Sequence, residues 1–154
     1  MRAIMFVALA CALVTTATVG AAQADVTCSI WEIEASSAAA PAVDAELKPL
    51  ERKLKKPPFA SWNVFKRVGA HSLKLAPQQV GDATLVHGKA GLLFRDITSR
   101  DGKKPRVALG ITLDDDGGKR IIDTKINVDA GDFFLVGQSL SASKSQLVAF
   151  SCRP

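Results

Sequence analysis

The chain has 154 residues, with 20 Lys and Arg against 15 Asp and Glu and a formal charge of +5. So small an excess bears on solubility and on weak attraction to anionic surfaces. With 47% hydrophobic residues the composition excludes a disordered chain.

Met1-Arg2, the apolar run from Ile4 to Val14 and the small-x-small triplet Ala22-Gln23-Ala24 read as an export leader, residues 1–24, cleaved after Ala24. Thr15, Thr16, Thr18 and Gly20 break the run before it reaches the ~20 residues of a membrane span. A lipid-attachment box ending at Cys11 is a poor match, because Ala8 stands where Leu is wanted. The mature chain, residues 25–154, then reads as a single β-rich domain in the periplasm or outside the cell, with no transmembrane segment. Its remaining cysteines are an even pair, Cys28 and Cys152. In an oxidising compartment such a pair reads as a disulfide, which makes the first and last strands neighbours. Metal ligation is the rival reading, but only His71 and His87 could join the thiols, and they are distant in sequence. No metal or cofactor is expected.

Val26 to Ala35 has the β-branched and aromatic content of a strand. Its apolar phase switches midway, from Val26, Cys28 and Ile30 to Trp31, Ile33 and Ala35. That switch predicts either a bulge or a strand covered on both faces, with a helix on one of them. After the connector Ser36 to Ala42, Leu47, Leu50 and Leu54 fall three and four apart, the spacing of one helix stripe. Asp44 is the expected N-cap, or Pro49 the first helical residue. Lys48, Arg52, Lys53, Lys55 and Lys56 make the exposed side of that helix basic, a candidate contact for an anionic surface. Pro57-Pro58 ends it, and Phe59, Trp62 and Phe65 form an aromatic knot. His71, Leu73 and Leu75 then alternate as a strand does.

Strands are next expected over Thr84 to His87 and Leu92 to Ile97, about a turn at Gly88 to Gly91, with Thr98 to Pro105 as a polar loop. Val107 to Leu113 and Ile122 to Val128 alternate cleanly about Asp114 to Gly118, which predicts a hairpin with a loop of about five residues. Asp129 to Asp132 leads tightly into Phe133 to Val136, and Ser139 to Ser145 is a loop before the closing strand Gln146 to Cys152. The expected fold is mainly β (α+β): a two-layer antiparallel β-sandwich or half-open barrel with one packed N-terminal helix.

The stretch Leu50-x3-Leu54-x2-Pro57-Pro58-Phe59-x-Ser61-Trp62-x2-Phe65-Lys66 resembles a group of uncharacterised exported β-rich proteins of Gram-negative bacteria. These combine a signal peptide, a strand, a helix ending in a Pro-Phe-x-Ser-aromatic turn and further strands. The resemblance implies location and architecture and brings no activity with it.

Motifs that could carry chemistry fail on spacing. Counted from Asp114, a calcium loop needs Gly at its sixth place and Glu at its twelfth, where Lys119 and Lys125 stand. Gly81 to Lys89 has six residues between its glycines instead of the four of a phosphate loop. No Gly-x-Ser-x-Gly elbow accompanies His71 or His87, and Glu32 and Glu34 read as surface charges on one strand. The expected function is therefore an exported, non-enzymatic binding or accessory module of the bacterial cell envelope, its partner an envelope protein or an anionic surface and not nucleic acid. The alternatives are a small secreted hydrolase with a dispersed site and an enzyme inhibitor presenting the loop Thr98 to Pro105.

Overall fold

The computed structural model describes residues 24–154; apart from Ala24, the leader expected over residues 1–24, with Cys11, lies outside the described residues. The described strands are β1 (Val26–Ser36), β2 (Ala42–Val43), β3 (Val64–Leu75), β4 (Val80–Thr84), β5 (Lys89–Arg100), β6 (Lys103–Asp114), β7 (Arg120–Asp129), β8 (Phe134–Ser139) and β9 (Lys144–Arg153). They form a five-stranded sheet in the order β2-β3-β1-β9-β8 and a four-stranded sheet in the order β4-β5-β6-β7. Every pairing is antiparallel except the short β2–β3 contact. The architecture is the mainly-β sandwich expected from sequence, and no barrel closes.

The main core lies between the sheets. From the first sheet come Val26, Cys28, Ile30, Val148, Phe150 and Cys152; from the second come Leu92, Phe94, Val107, Leu109, Ile111 and Leu113, all buried. Each of the aliphatic and phenyl side chains among them contributes about 1.5–3 kcal/mol by leaving water. Cys28 lies directly opposite Cys152 in the β1–β9 register, and the two are joined by a disulfide. The neighbouring first and last strands expected from the cysteine count are therefore present.

A second core fills the outer side of the first sheet. Ile33, Ala35, Leu147 and Ala149 pack there against Leu47, Leu50, Leu54 and Phe65. The phase switch in β1 is thus two-sided cover, and a bulge accompanies it. Glu32 pairs with Gly69 and Ile33 with Arg67, which leaves Val68 as an extra residue on β3.

Several boundaries differ from expectation. The leucine stripe is carried by a 3₁₀ segment, Ala45–Leu50, followed by a single α turn, α1 (Glu51–Leu54). Pro49 lies inside the 3₁₀ segment, where tighter winding stacks Leu47 above Leu50 and both stay buried. Asp44 occupies the N-cap position but makes no side-chain cap bond; its carboxylate accepts the backbone N–H of Arg67 at 2.9 Å. β3 begins at Val64, earlier than His71. The turn expected at Gly88 to Gly91 sits three residues earlier, with Leu85 donating its backbone N–H to the Gly88 carbonyl and Lys89 already in β5.

Thr98 to Pro105 is not a loop. β5 and β6 run on to Arg100 and Lys103 about the two-residue turn Asp101-Gly102. The hairpin of β6 and β7 stands where the alternation placed it.

Candidate functional site

The outer face of the first sheet changes character along its length. On β1 it presents Thr27, Ser29, Trp31, Ile33 and Ala35 in turn, and on β9 Leu147, Ala149, Ser151 and Arg153. The helical segment sits on the apolar half. Beyond it, the half bearing Thr27, Ser29, Ser151 and Arg153 floors a groove of about 700 Å³. Arg52, Lys53 and Lys56 line it from the helical side, and Gly131, Asp132 and Phe133 from the turn before β8.

Four cations therefore converge on one concavity. Lys53 Nζ donates to the Phe133 carbonyl and so ties α1 to the turn before β8. Among the described residues no carboxylate lies within ion-pair distance of Arg52, Lys53, Lys56 or Arg153. The carboxylate that lines the groove, Asp132, is turned to Lys104 at 3.1 Å. Like charges gathered without counter-charge raise one another's energy, and an anion entering between them relieves it.

Aromatic rings fix the floor. Trp31 and Phe133 pack with centroids 4.7 Å apart and planes tilted by 44°. The Arg67 guanidinium lies 5.4 Å from the centre of the Trp31 ring and holds Glu46 at 2.6 Å, so the indole is braced from behind. Gly131 places the fourth cation. Its φ of +82° suits glycine, and a Cβ there would stand 2.9 Å from Arg153 Nε, so the Arg153 side chain would have to shift for any other residue.

Of the five basic residues singled out from sequence, Arg52, Lys53 and Lys56 line the groove, while Lys48 and Lys55 do not. Lys55 bonds Glu51 one turn away at 2.5 Å, and that bond holds the Glu51 carboxyl below the usual range. Arg153, Trp31 and the three hydroxyls were not singled out. The signal for Arg153 was available: a Cys152 side chain facing the core sends its neighbour to the opposite face.

The histidines stand apart from this site. His87 Nδ1 is 3.4 Å from Asp116 Oδ2, and neither histidine lines the groove. Glu32, expected at the surface, is buried. It accepts the backbone N–H groups of Val86 and His87 at 2.7 and 3.1 Å and the Gln146 amide at 2.6 Å, which pins the β4–β5 turn to the first sheet. Asp115 likewise serves its own turn, accepting the N–H groups of Gly117 and Lys119 at 2.9 Å each. Among the described residues no group of three or more His, Cys, Asp or Glu side chains gathers as a metal site, and no helix is long and apolar enough to cross a membrane. No protein-family model, curated protein or solved structure matches the chain.

Proposed function

We propose that this protein is an exported, non-enzymatic binding module of the bacterial envelope, acting in the periplasm or outside the cell, and that its groove receives an anionic group. One observation carries the reading: Arg52, Lys53, Lys56 and Arg153 share a concavity whose lining carboxylate, Asp132, is engaged with Lys104, beside the hydroxyls of Thr27, Ser29 and Ser151. Guanidinium and ammonium groups next to hydroxyl donors suit a phosphate, sulfate or carboxylate. The Cys28–Cys152 disulfide supports an oxidising compartment. The binding reading rests on the groove gathering cations and hydroxyls with no base set against a nucleophile, which favours holding an anion over transforming it.

The test reverses three groove charges at once, Arg52→Glu, Lys56→Glu and Arg153→Glu. All three side chains are exposed, so folding is expected to persist. Retention on a phosphate-bearing resin at low salt should vanish for this variant. It should survive in a control that reverses Lys103, Lys119 and Lys125 outside the groove. Equal loss in both variants reduces the effect to net charge and removes the groove as a site.

A further inference from the structure

A second cavity, of about 330 Å³, opens on the same outer face, on the far side of the contact between Lys53 and the Phe133 carbonyl. Its walls are Pro58, Phe59 and Trp62 from the chain leaving α1, and Leu135 and Leu147 from β8 and β9. No charged side chain lines it. Gly137 keeps its floor flat, because a Cβ there would come within 2.6 Å of Leu147 Cδ2. The two linings share no residue, but they draw on neighbouring positions of two segments. On one, Lys56 lines the groove and Pro58 the apolar cavity, with a single residue between them; on the other, Phe133, just before β8, lines the groove and Leu135, on β8, the cavity.

From this adjacency we infer that one ligand occupies both: an anionic amphiphile with an aliphatic chain. The inference rests on the anion reading of the groove and adds the chemistry of the remainder of the ligand. The headgroup sits among Arg52, Lys56 and Arg153, and the chain passes Lys53 to lie between Phe59, Trp62 and Leu147. Charge complementarity selects the head, since a neutral lipid leaves four cations unanswered. The uncharged apolar walls select the tail, since a small anion leaves them in water.

An independent feature lies inside the apolar cavity. Ser145 lines it, is 2% exposed, and its hydroxyl has no hydrogen-bond partner among the described residues.

Isothermal titration of the disulfide-intact protein with inorganic phosphate, butyl phosphate and decyl phosphate, below their micelle thresholds, tests the inference. Affinity should rise at least a hundredfold from the butyl to the decyl ester, and decyl maltoside, which has no charge, should bind far more weakly. The two tryptophans separate the ends of the ligand. Decyl phosphate should perturb both tryptophans, with the part lost in Trp62→Phe reporting the chain, whereas phosphate alone should perturb only the signal lost in Trp31→Phe. In Phe59→Ala the gain with chain length should fall while phosphate binding persists. Equal affinity along the series overturns the amphiphile and leaves the anion groove standing; absence of binding by every anion overturns both. Decyl maltoside binding as tightly as the phosphate ester, or binding confined to phosphatidylglycerol vesicles, also overturns a single seated amphiphile.

Discussion

Replacing both Cys28 and Cys152 by alanine isolates the tie between the first and last strands. The two residues are 124 apart in sequence, and the chain-entropy relation for a loop of that size gives about 5 kcal/mol at 25 °C. Both side chains are 0% exposed, so truncation also removes some packing between the sheets. The register itself survives, because β1 and β9 pair from Thr27–Arg153 to Ser36–Lys144 regardless of the bond. With a urea dependence of roughly 2 kcal/mol per molar, the unfolding midpoint of the variant should fall by about 2–3 M. The assay is equilibrium urea unfolding followed by tryptophan fluorescence, and the oxidised protein before and after reduction serves as a second comparison. A fall below about 0.5 M, with an unchanged slope, refutes the reasoning, since the long loop would then add little to the stability of the sandwich.

Glu32→Ala should cost about 3–5 kcal/mol, because three donors that now point at its buried carboxylate lose their acceptor; a thermal melt within a degree or two of wild type contradicts that. At Asp129 the hydrogen bond from Arg106, with help from the Arg100 charge, holds the carboxyl below the ordinary carboxylate range against a smaller opposing effect of burial. A lowered folded value means that the contribution is complete above the unfolded value near 4 and is lost as pH falls through the folded one, so stability of Asp129→Asn measured between pH 5 and 2 should decline less steeply than wild type. Ser145→Ala removes a buried hydroxyl that is unpaired among the described residues and should raise the melting temperature of the free protein by roughly 3–5 °C, equivalent to about 1 kcal/mol; a fall in melting temperature counts against that account.

Where one face of an element is dry and the other wet, the sequence announces it. Val107, Leu109, Ile111 and Leu113 are buried while Ala108, Gly110 and Thr112 are not, and β6 was legible from that contrast alone. The outer ends of β5 and β6 were not, because Thr98, Ser99, Lys103 and Lys104 are exposed on both sides of a projecting hairpin and carry no alternation to read. The early part of β3 was hidden differently. The bulge at Val68 moves its inward residues from the helix side, Phe65 and Arg67, to the side facing the second sheet, His71 and Leu73, so no single apolar face persists. Leucines three and four apart marked a helical stripe correctly, yet the spacing is met equally by a 3₁₀ turn passing into one α turn, and Pro49 favours that form. The candidate site was half legible for a related reason. Local spacing grouped Arg52, Lys53 and Lys56, whereas Arg153 joins them only through the pairing of Thr27 with Arg153, which depends on the tertiary structure.

The position of the groove follows from a mismatch of lengths. Six 3₁₀ residues and four α residues extend roughly 18 Å, whereas the eleven residues of β1 extend roughly 36 Å, so the segment can roof only about half of the strand beneath it. An uncovered half that merely faced solvent could carry any mixture of polar side chains. What stands there is narrower: hydroxyls and an arginine on the floor, three cations on the overhanging edge, and the one lining carboxylate engaged elsewhere with Lys104. α1 ends at Leu54, and Pro57-Pro58 bars its resumption just after Lys56, so the basic edge ends where the apolar cavity starts. Continuing α1 by two further turns would carry its backbone across the boundary between the cavities. The short helix and its proline stop therefore hold open both halves of the proposed site, and the buried leucines Leu47, Leu50 and Leu54 give that segment enough anchorage to remain short.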